Sequence, residues 1–335
     1  MNCLGVLTSH LALLTFPRMH VVLYLPERLP VVGYGGTERV VTWLSRGLAE
    51  LGETVTVISA RGTRLPWARV VEIDARQART PAFGIQPSIP AGADILIASG
   101  SVHQDPGIPW ISHLHGNSKA GVVRPPNTVY LSADHARRHG STAYVHNGID
   151  PAELIFRRAK DEYDLYLGRL HTVKGWQWAV QACKQQNRRL VVAGGWRPTL
   201  RRRLRFVGSV DGARKQALLA GARVLWMPAL WDEPFGLTLI EALASGTPVL
   251  GTRRGALPEV VTPEVGVLGD TLEELVAGLD RIPTIDPDAC RHRVERHFHY
   301  RVMAAGHLRM VRGFLRDGRL PAGRLLDGVE DAASD

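Results

Sequence analysis

Short β-rich runs alternate with amphipathic helical runs along most of the chain, and the alternation restarts near its middle. A sequence patterned in this way folds as layered α/β structure with parallel sheets. In the first half, strands are expected at 20–25, 54–59, 94–98, 109–113, 128–131 and 142–146. A helix is expected from Thr37 to Leu51, because Val40, Val41, Leu44, Leu48 and Leu51 share one face, and Gly52 ends it. The turn-rich Asn147-Gly148-Ile149-Asp150-Pro151 separates the halves. In the second half, strands are expected at 163–167, 190–193, 205–207, 223–227 and 249–250, and helices at 176–186, 214–220, 237–244 and along one final run, 287–315. A length of 335 residues suits two domains. Ligands of open parallel sheets bind beyond the carboxyl ends of the strands, so the chemistry belongs in the loops there.

Charge narrows the classes of partner. The 41 basic and 32 acidic residues give +9, split as 13 basic and 10 acidic up to Asp150 and 28 and 22 after it. Both halves carry the excess, which argues against one basic tail for nucleic acid. Cys3, Cys183 and Cys290 are widely spaced and contain no C-x-x-C, so neither a disulfide framework nor a zinc site is expected, and a reducing cytoplasm is the default. No apolar run reaches the length of a membrane span. Residues 1–18 make a poor signal peptide, because no Lys or Arg precedes Leu4–Phe16. Met19 stands directly before the first strand, and we expect 1–18 to be a lead segment ahead of the true start.

Three strings carry chemistry. Glu233-Pro234-Phe235-Gly236-Leu237-Thr238-Leu239-Ile240-Glu241 leaves an apolar strand and enters a helix. Pro234 and Gly236 delay the helix until Leu237, whose first N–H groups then form an anion site. A carboxylate accepts from two hydroxyls, so Glu233 and Glu241 suit a ligand with a diol at each end and phosphate between, such as a sugar nucleotide. Taken singly, either Glu could be a solvated helix charge. Gly168-Arg169-Leu170-His171-Thr172-Val173-Lys174-Gly175 places two cations after a strand, where they can neutralise a diphosphate; Lys174 alone could be a solvated helix-start residue. Gly33-Tyr34-Gly35-Gly36 precedes a helix, but Glu38 stands where a dinucleotide fingerprint needs Gly. Glu38 and Arg39 are expected to be helix-surface charges.

These strings, with Gly35-Gly36-Thr37-Glu38-Arg39-Val40, His146-Asn147-Gly148-Ile149-Asp150 and Ala242…Gly246-Thr247-Pro248-Val249, resemble the family-four retaining glycosyltransferases. The resemblance runs in the same order over about residues 19–315. Ala193-Gly194-Gly195-Trp196 is similar to compact members from bacterial natural-product pathways. The resemblance implies the GT-B fold: two Rossmann-like domains facing across a cleft, with a final helix crossing back to the first. The implied organisation is an acceptor-side domain at 19–150, a nucleotide-sugar domain at 151–292, a cross-over helix at 293–315 and a tail at 316–335. It implies that Glu233 binds donor-sugar hydroxyls and that Phe235, Gly236, Leu237 and Thr238 line the donor with backbone groups. Glu241 would hold the ribose, Arg169 and Lys174 the diphosphate, Val210 the base, and Gly36 the phosphate from the other domain. His115 is the implied contact near the reacting carbon, and neighbouring His113 reads as a satisfied core histidine.

The implied activity is retaining transfer of a hexose-type sugar from a nucleotide diphosphate, with UDP the first expectation, to an unidentified small-molecule, glycan or lipid-linked acceptor. Tyr34, His103, Lys119 and Arg124 are candidates for the acceptor wall. The only D-x-D, Asp286-Pro287-Asp288, reads as a helix-start cluster, so no metal and no cofactor are expected. A non-transferring nucleotide-sugar binder or an epimerase-like relative on the same fold is the alternative. The arginine run between Arg188 and Arg205 lacks a nucleic-acid motif and reads as a solvated face, with an anionic acceptor or peripheral contact with lipid headgroups as the other reading.

Overall fold

Val21 to Leu25 are all buried, which places β1 (His20–Leu25) inside a parallel sheet covered on both faces. The structure is a computed structural model and describes residues 17–31, 33, 35–118 and 121–329. Residues 1–16, with most of the expected lead segment and Cys3, lie outside the described residues, as do Tyr34 and Lys119. After β1 come α1 (Gly36–Glu50), β2 (Thr54–Ala60), β3 (Arg69–Ile73), β4 (Ile95–Ala98), β5 (Trp110–His113), β6 (Thr128–Val129) and the short α2 (Ala133–Arg138). The first sheet is six-stranded in the order β3-β2-β1-β4-β5-β6, and its strands all pair in parallel. Alternation sorts the side chains: Val21, Leu23 and Leu25 pack with Val40, Val41, Leu44 and Leu48 of α1, while Val22 and Tyr24 pack with Ile58 and Ile73 on the other face.

The second lobe repeats the plan. It runs β7 (Asp164–Leu167), α3 (Trp176–Gln185), β8 (Leu190–Ala193), β9 (Leu204–Phe206), α4 (Gly212–Gly221), β10 (Leu225–Met227), α5 (Leu237–Ala244), β11 (Val249–Thr252), α6 (Leu257–Val260), β12 (Gly266–Gly269), α7 (Leu272–Gly278) and α8 (Pro287–His297). Its sheet order is β12-β11-β10-β7-β8-β9, again six strands. The start of this sheet is tied by one fully buried carboxylate. Asp164 accepts from Arg188 at 2.7 and 2.9 Å, from Arg223 at 3.2 Å and from the Trp226 indole at 3.4 Å. Arg188 precedes β8 and Arg223 precedes β10, so a single side chain joins three neighbouring strand entries.

The last helix, α9 (Tyr300–Asp317), belongs to the first lobe. A Cβ on Gly47 of α1 would lie 2.7 Å from the Ala304 side chain, so glycine lets the two helices close on each other. The expected continuous helix over 287–315 is two helices. Phe298 and His299 break it: Phe298 is buried in the second lobe's core, and the His299 side chain caps α9 by accepting from the Arg301 amide at 3.2 Å. The chain crosses back at this break rather than at 293. It does so beside its outward crossing, because the Ile149 amide donates to the Phe298 carbonyl and the Tyr300 amide to the Ile149 carbonyl, both at 2.9 Å.

Other departures are local. The strand expected at 142–146 makes only an isolated bridge, Tyr130 to Tyr144. The expected tail folds back as far as it is described: the Gly323 amide donates to the Thr142 carbonyl at 2.8 Å, Leu326 is buried, and Asp327 pairs with Arg296.

Candidate interlobe site

Two glycines bring the loops after β7, β10 and β11 together. Gly175 has φ +68°, and a Cβ there would sit 1.7 Å from the Pro228 carbonyl oxygen. The Leu230 amide donates to the Val173 carbonyl at 2.8 Å beside it. A Cβ on Gly255, at φ +58°, would sit 2.4 Å from the Glu233 backbone, and the Ala256 amide donates to the Glu233 carbonyl at 2.9 Å. Lys174 is thereby brought to Glu233, with Nζ 2.6 Å from Oε2. The Trp231 indole donates to the same oxygen at 3.1 Å, and the Lys174 ammonium lies 4.2 Å from the centre of the Trp231 ring. Trp231, two residues before Glu233, was not anticipated.

Glu241 sits one turn inside α5 and is buried. Its Oε1 accepts from Lys215 of α4 at 2.6 Å and from Arg39 of α1 at 3.3 Å. Arg39 is therefore not a helix-surface charge. It reaches across from the first lobe and also donates to the Gly33 carbonyl at 3.0 Å. Lys215 was missed as well. The signal for both was positional: each is the fourth residue of a helix that starts beyond the carboxyl end of a strand. Gly36 opens α1 opposite α5, and a Cβ on it would meet Leu237 Cδ1 at 3.4 Å. Two helix starts with unpaired N–H groups thus face each other. Gly236, at φ +88°, supplies the left-handed turn that starts α5.

The other anticipated residues have varied surroundings. Arg169 follows β7, its side chain exposed and, among the described residues, without a hydrogen bond or ion pair, and it touches none of the groups above. Val210 is half-buried beyond β9. Leu237 and Thr238 are half-buried at the start of α5. Phe235 is buried, with its ring 5.8 Å from His146 and 5.9 Å from Phe298, so it offers backbone alone. His103 is exposed, and Arg124 donates to Ser118 at 2.7 Å. Asp286 caps α8 and Asp288 takes both arms of Arg158, at 2.6 and 2.7 Å, so this D-x-D is occupied in holding the helix start.

His115 bonds the Ser99 hydroxyl through Nε2 at 2.9 Å. Asn117, two residues on, donates to the Asp232 carbonyl at 2.9 Å and sets this turn against Glu233. Burial, with lesser effects of His307 and His135, pushes the His115 imidazole down to about 3, which keeps it neutral. His113 packs against it with the rings tilted and their centres 4.1 Å apart, and is buried as expected, but it is not satisfied, since neither ring nitrogen has a partner among the described residues. His307 of α9 lies 4.6 Å from His113.

Burial holds His113 well below its ordinary range, His135 at about 3 and His307 at about 4. The unfolded chain therefore binds protons that the folded chain refuses, and stability rises with pH in this window. Each such histidine costs about 1.4 kcal/mol per pH unit below roughly 6.5. Melting temperature measured from pH 8 to 5 is expected to hold and then fall steadily below that point. A flat profile down to pH 5 would mean that the cluster accepts protons freely.

Two six-stranded parallel sheets whose cleft is lined by facing helix starts define the GT-B fold of glycosyltransferases. Residues 155–295, the second lobe, match the family model of glycosyl transferases group 1. The structure of AviGT4, a glycosyltransferase involved in avilamycin A biosynthesis, is similar at TM-score 0.73 and 27% identity, covering 91% of this chain and all of that one. The uncharacterized glycosyltransferase MJ1607 of Methanocaldococcus jannaschii is 29% identical over 41% of this chain and 44% of its own length. A GDP-mannose-dependent alpha-(1-6)-phosphatidylinositol dimannoside mannosyltransferase of Mycobacterium tuberculosis is 36% identical over 52% of this chain and 47% of its own. The matches thus span less than half the length of these two curated relatives. No helix among the described residues is long and apolar enough to cross a membrane.

Proposed function

We propose that the chain is a family-four retaining glycosyltransferase of the cytoplasm. It moves a hexose-type sugar from a nucleoside diphosphate, UDP first, to a glycan, small-molecule or lipid-linked acceptor. The observation that carries this reading is the placement of Glu233 and Glu241 at the two ends of the α5 start, each held by cations. Glu233 Oε1, free of Lys174 and Trp231, takes the sugar hydroxyls, and Glu241 takes the ribose. The diphosphate lies between them against the N–H groups of Leu237 and Thr238, with Gly36 opposite.

In the reaction, the bond from the anomeric carbon to the β-phosphate oxygen breaks and its electron pair stays on phosphate. Arg169, Lys174 and the α5 start meet that charge, and charge met by groups already in place lowers the barrier. The acceptor hydroxyl forms the new bond on the same face, and its proton passes to the leaving phosphate. His115, held neutral by burial, contacts the sugar near the reacting carbon. A relative named for GDP-mannose, and similar structures in complex with UDP or bound to ADP, make all three bases worth assaying.

The test is release of nucleoside diphosphate from a panel of UDP-, GDP- and ADP-sugars, with and without EDTA. Turnover of one donor, unchanged by chelation, is the expected result. Thermal stabilisation by a donor without product release would instead select the non-transferring or epimerase-like reading. Activity lost in EDTA and restored by Mn²⁺ would overturn metal independence.

A further inference from the structure

We propose that the outer edge of the second lobe, from Trp196 to Arg205, docks on an anionic lipid bilayer. No Asp or Glu occurs between Asp164 and Asp211. Arg197, Arg201, Arg202, Arg203 and Arg205 all lie in this interval, and each is exposed with no ion pair or side-chain hydrogen bond among the described residues. Lys184 and Arg189, also exposed, are free in the same way. Other exposed arginines, such as Arg61, Arg69 and Arg254, also lack an ion pair among the described residues, but no other stretch of the sequence runs so long without an acidic residue. A cluster of cations left without counter-charge repels itself and calls for an external anion.

Geometry gathers these groups. β9 is the edge strand, and β8 and β9 have four and three residues. The connection between them therefore returns over only about 10 Å along the edge. At its far end Lys184, Arg201, Arg202 and Arg203 line a cavity of about 190 Å³ together with Val180, Leu190 and Leu204. That concavity accepts a phosphate group.

The apolar residues choose between polyanions. Trp196 is 66% exposed and Leu200 fully so, interleaved with the arginines. An indole and a leucine flanked by guanidinium groups match the interface of a bilayer, where rings sit at headgroup level and cations meet anionic lipid. Leucine has nothing to gain from a nucleic acid or from free phosphate. The Trp196 end of this edge lies beside a loop of the cleft. Trp196 follows Gly194, at φ +108°, where a Cβ would lie 2.2 Å from the Gly168 carbonyl oxygen beside Arg169.

The test is sedimentation of the full chain with vesicles of phosphatidylcholine alone or mixed with phosphatidylglycerol. Its readout is lipid binding, so it stands or fails apart from the sugar-transfer reading. Binding is expected only with phosphatidylglycerol and is expected to weaken with salt. Arg201→Gln, Arg202→Gln and Arg203→Gln together are expected to lower the partition coefficient about a hundredfold. Trp196→Ala with Leu200→Ala is expected to lower it about tenfold. All five side chains are exposed, so melting temperatures should match the parent, and a variant that misses this is replaced by its single substitutions. No binding to either vesicle overturns the proposal. So does binding that ignores the Trp196 and Leu200 changes, or tighter binding to a DNA or RNA duplex than to anionic vesicles.

Discussion

Arg169→Ala is expected to lower kcat by about 10²–10³ while changing donor KM little. The side chain is exposed and bonded to nothing among the described residues, so its removal leaves no orphaned partner and no cavity. In the proposed reaction, what is lost is a cation beside phosphate at the moment the glycosidic bond opens, an interaction stronger in the transition state than in the bound donor. Lys174→Ala falls in the same range but is a less clean experiment, because it also strips a buried Glu233 of the ammonium 2.6 Å away. Steady-state kinetics with the donor identified in the panel reads out the split. A raised KM with kcat unchanged would remove Arg169 from the leaving-group role and make it a binding residue only.

Asp164→Ala is expected to destabilise the chain by about 3–5 kcal/mol, measured by chemical denaturation. The carboxylate is fully buried, and its loss leaves the Arg188 and Arg223 guanidinium groups facing each other with no anion between them. Cys183 also leans on it, with Sγ 3.6 Å from Oδ2, and burial together with that carboxylate pushes the thiol up. The side chains of Arg188 and Arg223 are 21% and 32% exposed, which offers them a route to water. A loss below about 1 kcal/mol would mean that both swing out, in the manner of surface pairs, and that the strand entries hold without them.

Much of the fold was legible because its strands are short apolar runs fenced by glycine and its longer helices have one apolar face. The limits of β1, β8 and α5 coincide with the sequence reading for that reason. β3 escaped it because an edge strand such as Arg69-Val70-Val71-Glu72-Ile73 is largely solvated and carries charge at its ends. β12, Gly-Val-Leu-Gly, is too short and too rich in glycine to announce itself. The break at Phe298 was hidden because Phe298 and Tyr300 are both apolar, though each is buried in a different lobe. In the site, Glu233, Lys174 and Glu241 come from local strings with recognisable turn residues. Arg39 and Lys215 were not legible, since a surface charge and an interlobe partner look alike until the chain has folded. Arg39 lies 202 positions from Glu241.

The paired crossings at Ile149 and His299 determine how this molecule can be recombined. The polypeptide leaves the first lobe and re-enters it at adjacent points, so a chimera needs two junctions, one near each. Exchanging everything after Ile149 would carry α9 away and strip α1 of Ala304 and Tyr300. A graft of the second lobe that respects the architecture is an insertion between the two crossings, with the carboxyl-terminal helix kept from the recipient.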